Sequence, residues 1–117
     1  MAEQQLVSLS KEFAIDVINL CEESRKSKKG EVLINQLLRS GTSIGANIHE
    51  AYYAASKADF VNKLQIALKE CYETEYWLEI FKETTIIDEE HYKALSGKCK
   101  RIRSKLIASI NTAKSGI

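Results

Sequence analysis

The chain has 117 residues, of which 44% are hydrophobic and 28% charged, and its formal net charge is +1 at pH 7. That length and composition are typical of one soluble globular domain with a single core. No apolar run approaches the roughly 18 to 20 residues of a membrane span, and the first residues lack the regions of a signal peptide, so we expect one cytoplasmic domain over residues 1–117.

The first predicted helix covers about residues 9–24. Phe13, Val17 and Cys21 recur there at helical spacing, and Ser10 is placed to cap the first turn. The chain has no proline, the strongest helix breaker. The basic segment that ends at Gly30 predicts a loop after this helix.

The second predicted helix covers about residues 31–54 and contains the stretch SGTSIGANIH, which is poor in good helix formers. Leu37, Ile44 and Ile48 lie along one side of it, whereas Gly41 and Gly45 lie four residues apart on another. Small residues at that spacing let a second helix approach closely. Residues 40–48 contain no lysine or glutamate, so we expect a helix covered on most sides by its own bundle and by a second subunit.

The third and fourth predicted helices cover about residues 57–83 and 89–114. Ser56 and Asp59 resemble a capping box, and Asp88 is placed to cap the fourth helix. The apolar stripes of these helices run through Leu64, Ala67, Leu68, Cys71 and Leu78 and through Leu95, Cys99, Ile102, Leu106 and Ile110. Four long helices with short connections predict an all-α fold, an antiparallel up-and-down four-helix bundle.

The three cysteines, Cys21, Cys71 and Cys99, are far apart in the sequence and form no CxxC pair. An odd, scattered set argues against a disulfide framework and against a zinc site. Each falls on an apolar helical face, and we therefore expect three buried thiols.

Charge is segregated along the second half of the chain. Residues 70–90 contain eight acidic residues and one lysine, whereas residues 93–117 contain seven basic residues and no acid. The basic residues of the fourth helix predict a solvated face or a phosphate-binding face, and a third interpretation is contact with an acidic helix of another copy. The candidate nucleic-acid-binding residues are Lys98, Lys100, Arg101, Arg103 and Lys105.

A polar stripe follows the second helix. Its four members are Arg39, Ser43, Asn47 and Glu50. At 100° per residue around the helix axis, they fall within a sector roughly 80° wide. On a covered helix they must bind one another or groups of neighbouring helices, and a mixed stripe on the third helix offers such groups. The predicted polar network or interface consists of Arg39, Ser43, Asn47, Glu50, Glu70, Glu73 and Trp77.

Two alternatives remain open. One is a small-ligand-binding or enzymatic bundle that uses Glu50, Glu70 and Glu73, with His49, between helices. The sequence lacks paired Glu-x-x-His motifs, a nucleophile with a base and a phosphate loop, so we expect no enzyme, no metal and no cofactor. The other alternative is a module that interacts with another protein.

The segments LLRSGTSIGANIHEA and SKADFVNKLQIALKECYETEYWLEI resemble the four-helix-bundle proteins of the S23, or 23S rRNA intervening-sequence, family. The resemblance covers nearly the whole chain. It rests on Arg39, Ser43-Ile44, Asn47-Ile48, Glu50, Ser56, Phe60, Ala67-Leu68, Glu70, Glu73 and Tyr76-Trp77-Leu78. The family often has glycine where this chain has Ala51.

The resemblance implies a homopentamer, a five-fold ring of bundles, with no established enzymatic activity. A related protein, the accessory variability determinant of diversity-generating retroelements, uses a strongly basic five-fold bundle to bind nucleic acid and a reverse transcriptase, whereas this chain is nearly neutral. The leading hypothesis is therefore a non-catalytic homo-oligomeric scaffold whose further partner is RNA or a nucleic-acid-associated protein.

Overall fold

A computed structural model describes residues 2–116, and the side chains of residues 5–116. The elements are α1 (Ala2–Arg25), α2 (Glu31–Ala51), α3 (Lys57–Glu83) and α4 (Glu89–Lys114), and this part of the chain contains no strand. Each helix packs against two others, so that α1, α2, α3 and α4 close a ring around one core. The predicted four-helix bundle is confirmed; its long axis spans 48 Å.

The core is a continuous stack of apolar side chains contributed by all four helices. The predicted stripes of α3 and α4 hold for most of their length, because residues three and four apart share a helix face. The largest fully buried side chains include Phe13, Leu37, Ile44, Leu64, Phe81, Ile102 and Leu106. None of the helices within residues 2–116 is long and apolar enough to cross a membrane.

The helix boundaries differ from the predicted ones at two places. α1 begins at Ala2 rather than near residue 9, so the prediction that Ser10 caps it is wrong. Ser10 is a buried mid-helix residue whose hydroxyl donates to the Val7 carbonyl at 3.1 Å. α2 ends at Ala51, three residues before the predicted end.

The predicted caps of α3 and α4 are confirmed. The Ser56 hydroxyl accepts a hydrogen bond from the Asp59 backbone N–H at 3.1 Å. The Asp88 carboxylate accepts one from the His91 backbone N–H at 2.8 Å. Each cap satisfies one amide that the helix leaves without an internal partner.

The two glycines of α2 face α1. A Cβ atom at Gly41 would lie 3.0 Å from the Val17 side chain, and one at Gly45 would lie 3.2 Å from the Ser10 carbonyl oxygen. The expected close approach of a second helix is thus confirmed, and the approaching helix is α1 of the same chain.

The three cysteines are free and buried, as predicted. Burial raises the pKa of the Cys21 thiol to about 11. The pKa of Cys71 is also raised, first by a hydrogen bond with Cys99 and then by burial. The raised pKa values keep Cys21 and Cys71 in the thiol form at neutral pH. Because the thiolate is the reactive form of cysteine, these two residues act as core side chains and not as reactive groups.

Candidate functional site on the outer faces of α2, α3 and α4

An ionic cluster joins α2 to α3 on the outside of the bundle. Arg39 Nη1 donates to Glu70 Oε2 at 3.1 Å, and Arg39 Nη2 pairs with Glu73 Oε2. Trp77 Nε1 donates to the same Glu73 oxygen at 3.0 Å. Four of the seven residues predicted for a polar network are therefore in one chain of contacts, which we call the Arg39 cluster.

The Arg39 cluster lies at the surface, and contacts within it shift the pKa values of Arg39 and Glu73. The Arg39 side chain is 49% exposed, whereas that of Glu70 is 15% exposed. Hydrogen bonds from Trp77 and then from Arg39 lower the pKa of Glu73. The hydrogen bond to Glu73 is the main reason that the pKa of Arg39 is raised. Arg39 and Glu73 therefore stay charged at neutral pH.

The rest of the predicted stripe of α2 does not join this cluster. Ser43 Oγ donates to the Arg39 carbonyl at 2.6 Å, and Asn47 Nδ2 donates to the Ser43 carbonyl at 2.8 Å. Glu50 pairs with Lys63 Nζ at 3.2 Å. Serine and asparagine readily bond to their own backbone, which is why these two bind within α2 instead of across it.

A buried hydrogen bond beneath this face was missed by the sequence reasoning. Thr74 Oγ1 donates to Ser40 Oγ at 3.0 Å, and both residues are fully buried. Their spacing carried the signal, since Ser40 follows Leu37 by three residues and Thr74 follows Cys71 by three, on the apolar faces of α2 and α3. Two hydroxyls on facing core stripes can satisfy each other.

The acids proposed for an enzymatic pocket are divided between two sets of partners. Glu50 is paired with Lys63, whereas Glu70 and Glu73 share Arg39. The His49 ring packs at a tilted angle against the Tyr53 ring, with centroids 5.1 Å apart. Within the described residues, three or more potential metal ligands are nowhere grouped together.

Two of the five basic residues predicted to bind nucleic acid form ion pairs that bridge helices. Lys98 Nζ contacts Glu12 at 3.0 Å and Asp16 at 2.5 Å on α1. Arg103 donates to both carboxylate oxygens of Glu75 on α3, at 2.8 and 3.2 Å. The hydrogen bonds from Lys98 to Asp16 and from Arg103 to Glu75 are the main causes of the raised pKa values of both bases.

The other three basic residues have no carboxylate partner in the part of the chain that the structure describes. Lys100 and Arg101 are exposed. Lys105 Nζ donates to the neutral amide oxygen of Gln5 at 3.3 Å. We call these three side chains, which are not paired with a described carboxylate, the uncommitted bases.

A family model described as "23S rRNA-intervening sequence protein" matches residues 2–108. A crystal structure of a protein with unknown function from the S23 ribosomal protein family of Bacteroides thetaiotaomicron VPI-5482 is similar at 46% sequence identity. The similarity covers 95% of this chain and 99% of that one, with a TM-score of 0.92. A search of curated proteins found no match.

Proposed function

The chain belongs to the 23S rRNA-intervening sequence protein family, and from that premise we propose that it is a non-catalytic scaffold that assembles from copies of itself and associates with RNA. The Arg39 cluster is the observation that carries the self-assembly, and the uncommitted bases support the RNA contact. The proposal includes a cytoplasmic location, where ribosomal RNA is found.

The Arg39 cluster has the composition of a protein interface. Arginine, tryptophan and tyrosine are the residue types that most often dominate binding energy between proteins. Here the half-buried Trp77 and the exposed Tyr76 pack edge to face, with centroids 5.2 Å apart. The neighbouring Ile66 is 37% exposed. An ordered arginine beside exposed apolar side chains supports burial of this face against another copy.

The mass in solution tests the self-assembly. We expect a homo-oligomer, and the family resemblance implies five copies. Arg39→Ala should shift the mass distribution toward the monomer, because Arg39 orders the carboxylates of the face. Arg101→Ala removes the same charge from α4 and should leave the mass unchanged. A wild-type monomer at micromolar concentration would contradict the proposal.

The uncommitted bases support a contact with the phosphate backbone. Lys100, Arg101 and Lys105 lie on α4, and binding of phosphates to such side chains releases counterions and weakens with salt. The family description itself refers to 23S rRNA. We therefore assign RNA, rather than a specific base sequence, as the partner of this surface.

Filter binding of 23S rRNA fragments at low and moderate salt tests the RNA contact. We expect salt-sensitive binding that the double variant Arg101→Gln/Lys105→Gln weakens by roughly tenfold and whose salt slope it reduces by about two. The control Lys57→Gln/Lys69→Gln removes two exposed charges from α3. Equal loss in both double variants would indicate a nonspecific charge effect, and absence of wild-type binding at low salt would contradict the RNA contact.

A further inference from the structure

A groove lies between the C-terminal half of α1 and the N-terminal half of α4. Its volume is about 660 Å³, which is within the range of small-molecule sites, roughly 300 to 1,000 Å³. We call it the α1–α4 groove; its lining includes Asp16, Leu20, Glu23, Ser24, Asp88 and Leu95. It is separate from the Arg39 cluster and from the uncommitted bases.

Both helices contribute small side chains to the lining of the groove. Ser24 on α1 and Ala94 on α4 both line it. Leu20 is 8% and Leu95 5% exposed, and these side chains form its apolar floor. α1 and α4 also pack less extensively than the other neighbouring helix pairs. A short hydrocarbon chain therefore has apolar surface to contact here.

The Ser24 hydroxyl is a hydrogen-bonding group at the wall of the groove. Ser24 is 7% exposed, and its hydroxyl makes no hydrogen bond to any residue that the structure describes, whereas those of Ser10 and Ser40 are bonded. No fully enclosed side-chain polar atom of the described chain lacks a partner. The Ser24 hydroxyl must therefore open on the groove, where an incoming group can bond to it.

The charges that line the groove determine whether the incoming group is a cation or an anion. Asp16, Glu23 and Asp88 line the groove together with one ammonium, that of Lys98. Glu23 also pairs with Lys26 Nζ at 3.1 Å, and the Asp88 carboxylate contacts His91 Nδ1 at 2.8 Å; all four of these side chains are exposed. Lys98 is already held by Asp16 and by Glu12 at the edge of the groove. Counted with the partners Glu12 and Lys26 and without His91, the groove carries four carboxylates and two ammonium groups, so an anion is repelled and a cation attracted.

We propose that the α1–α4 groove binds a small organic cation, a primary ammonium on a short apolar chain. The ammonium lies between the carboxylates of Glu23 and Asp88 and donates to the Ser24 hydroxyl. The hydrocarbon chain lies on Leu20 and Leu95. Lys98 already places an ammonium between carboxylates at the other end of the groove. The site is independent of the proposed RNA contact and goes beyond it.

Titration of the full chain with hexylammonium, followed by backbone amide NMR, tests the site. We expect saturable shifts at the lining residues with an affinity on the order of millimolar. Hexanol has the same chain without the charge and should bind more weakly, and hexanoate should not bind. Ala94→Trp, a change at an exposed lining position, should block the groove and abolish the shifts.

Matched substitutions test the charge. Glu23→Gln should weaken hexylammonium binding by roughly two- to fivefold, as expected for partly exposed charge pairs. Glu22→Gln removes the same charge from an exposed position of α1 outside the groove and should leave binding unchanged. Asp88→Ser keeps a residue able to cap α4 while it removes the second carboxylate, and should weaken binding by a similar factor.

Four results would overturn the proposal. Equal affinity for hexylammonium and hexanoate would show that charge plays no role. Shifts without saturation, or shifts away from the groove, would show nonspecific adsorption. Equal effects of Glu22→Gln and Glu23→Gln would remove the assigned contact. Shifts at the lining that depend on protein concentration and not on amine would assign the groove to a second copy of the chain.

Discussion

The carboxylate of Glu73 is held from two sides, by the indole N–H of Trp77 and by the guanidinium of Arg39. These bonds lower the pKa of Glu73 below its ordinary value of 4.5. A lowered pKa in the folded state means that the ionised form stabilises the fold above the unfolded pKa. That contribution is lost as the pH falls through the folded pKa.

Trp77→Phe keeps an aromatic ring in place and removes the N–H that donates to Glu73. At pH 7 we expect the free energy of unfolding to fall by about 0.5–1 kcal/mol, because the site is partly exposed. The difference from wild type should narrow as the pH falls below 4.5 and through the lowered pKa of Glu73 in the folded protein. Urea denaturation across pH 3–7 measures this, with Tyr76→Phe as the control. A difference that stays constant with pH would contradict the role of Glu73.

The hydrogen bond between the buried hydroxyls of Ser40 and Thr74 should also contribute to stability. Thr74→Val preserves the shape of the side chain and leaves Ser40 without its donor, so we expect a loss of about 1 kcal/mol of unfolding free energy. Adding Ser40→Ala should cost less than the two single losses combined, because residues in direct contact are not additive. Denaturant unfolding of the four proteins in this cycle measures the coupling, and strict additivity would contradict it.

At the scale of residues, the sequence predicted which helix faces meet better than it predicted which side chains bond to each other. The stripes of α2 and α3 brought Arg39, Glu70 and Glu73 to adjoining faces, as helical spacing indicates. Ser43 and Asn47 lie on the same stripe but bond to their own backbone. Spacing fixes the direction of a side chain, whereas the choice between a local and a distant partner depends on packing that no single stretch of sequence specifies.

At the scale of elements, one polar residue in the core stripe of α1, Ser10, led to a wrong prediction of where this helix begins. Its buried stripe runs Leu6, Ser10, Phe13 and Val17. Serine at the second of these positions matches the preference for a helix cap, so the preceding turn was predicted to lie outside the helix. In α3 and α4 the capping residues directly precede the apolar stripe, and there the predicted starts agree with the structure.

The close packing of α1 on α2 predicts opposite effects for two glycine substitutions. Alanine is favoured over glycine inside a helix by roughly 0.5–1 kcal/mol. Gly97 of α4 has no atom within 4 Å of its added Cβ, so Gly97→Ala should stabilise the protein by about that amount. At Gly41 the added methyl meets both Val17 methyl groups at 3.0 Å. We expect Gly41→Ala to be net destabilising, because α1 must move away.

Thermal and urea unfolding of both variants measure these effects, and Gly97→Ala serves as the reference for helix propensity alone. Gly45→Ala extends the test, since its methyl would meet the Ser10 backbone oxygen at 3.2 Å, an atom that cannot rotate away. If all three substitutions were stabilising, the α1–α2 contact would be looser than the structure describes.

At the scale of the whole molecule, the segregation of charge is partly satisfied within one chain. The acidic α3 and the basic α4 are neighbours, and Arg103 binds Glu75 across their contact. Glu75 lies in line with the apolar residues Cys71 and Leu78, and the half-buried pair lies at the margin of that stripe. The bundle itself was predictable because its four apolar stripes are long. The partners in the ion pairs were not predictable, because they depend on how each helix is rotated about its own axis relative to its neighbours.

The ring of helices closes where α1 meets α4, and there Lys98 is the principal ionic contact, with Glu12 and Asp16. Its raised pKa means that the charged form stabilises the fold fully below the unfolded pKa, about 10.5, and that this contribution is lost as the pH rises through the folded value. At neutral pH the contribution is therefore complete. Because the partners are partly exposed, salt should screen it.

Lys98→Met keeps a side chain as long as the aliphatic part of lysine and removes the ammonium. We expect it to lower the free energy of unfolding by about 0.5–1.5 kcal/mol at low salt, with most of the difference lost in 1 M NaCl, because two carboxylates then lack their counterion. Lys100→Met removes an exposed charge that has no carboxylate partner among the described residues and should change stability little. Equal effects of the two substitutions would show that α4 is held to α1 by apolar contacts alone.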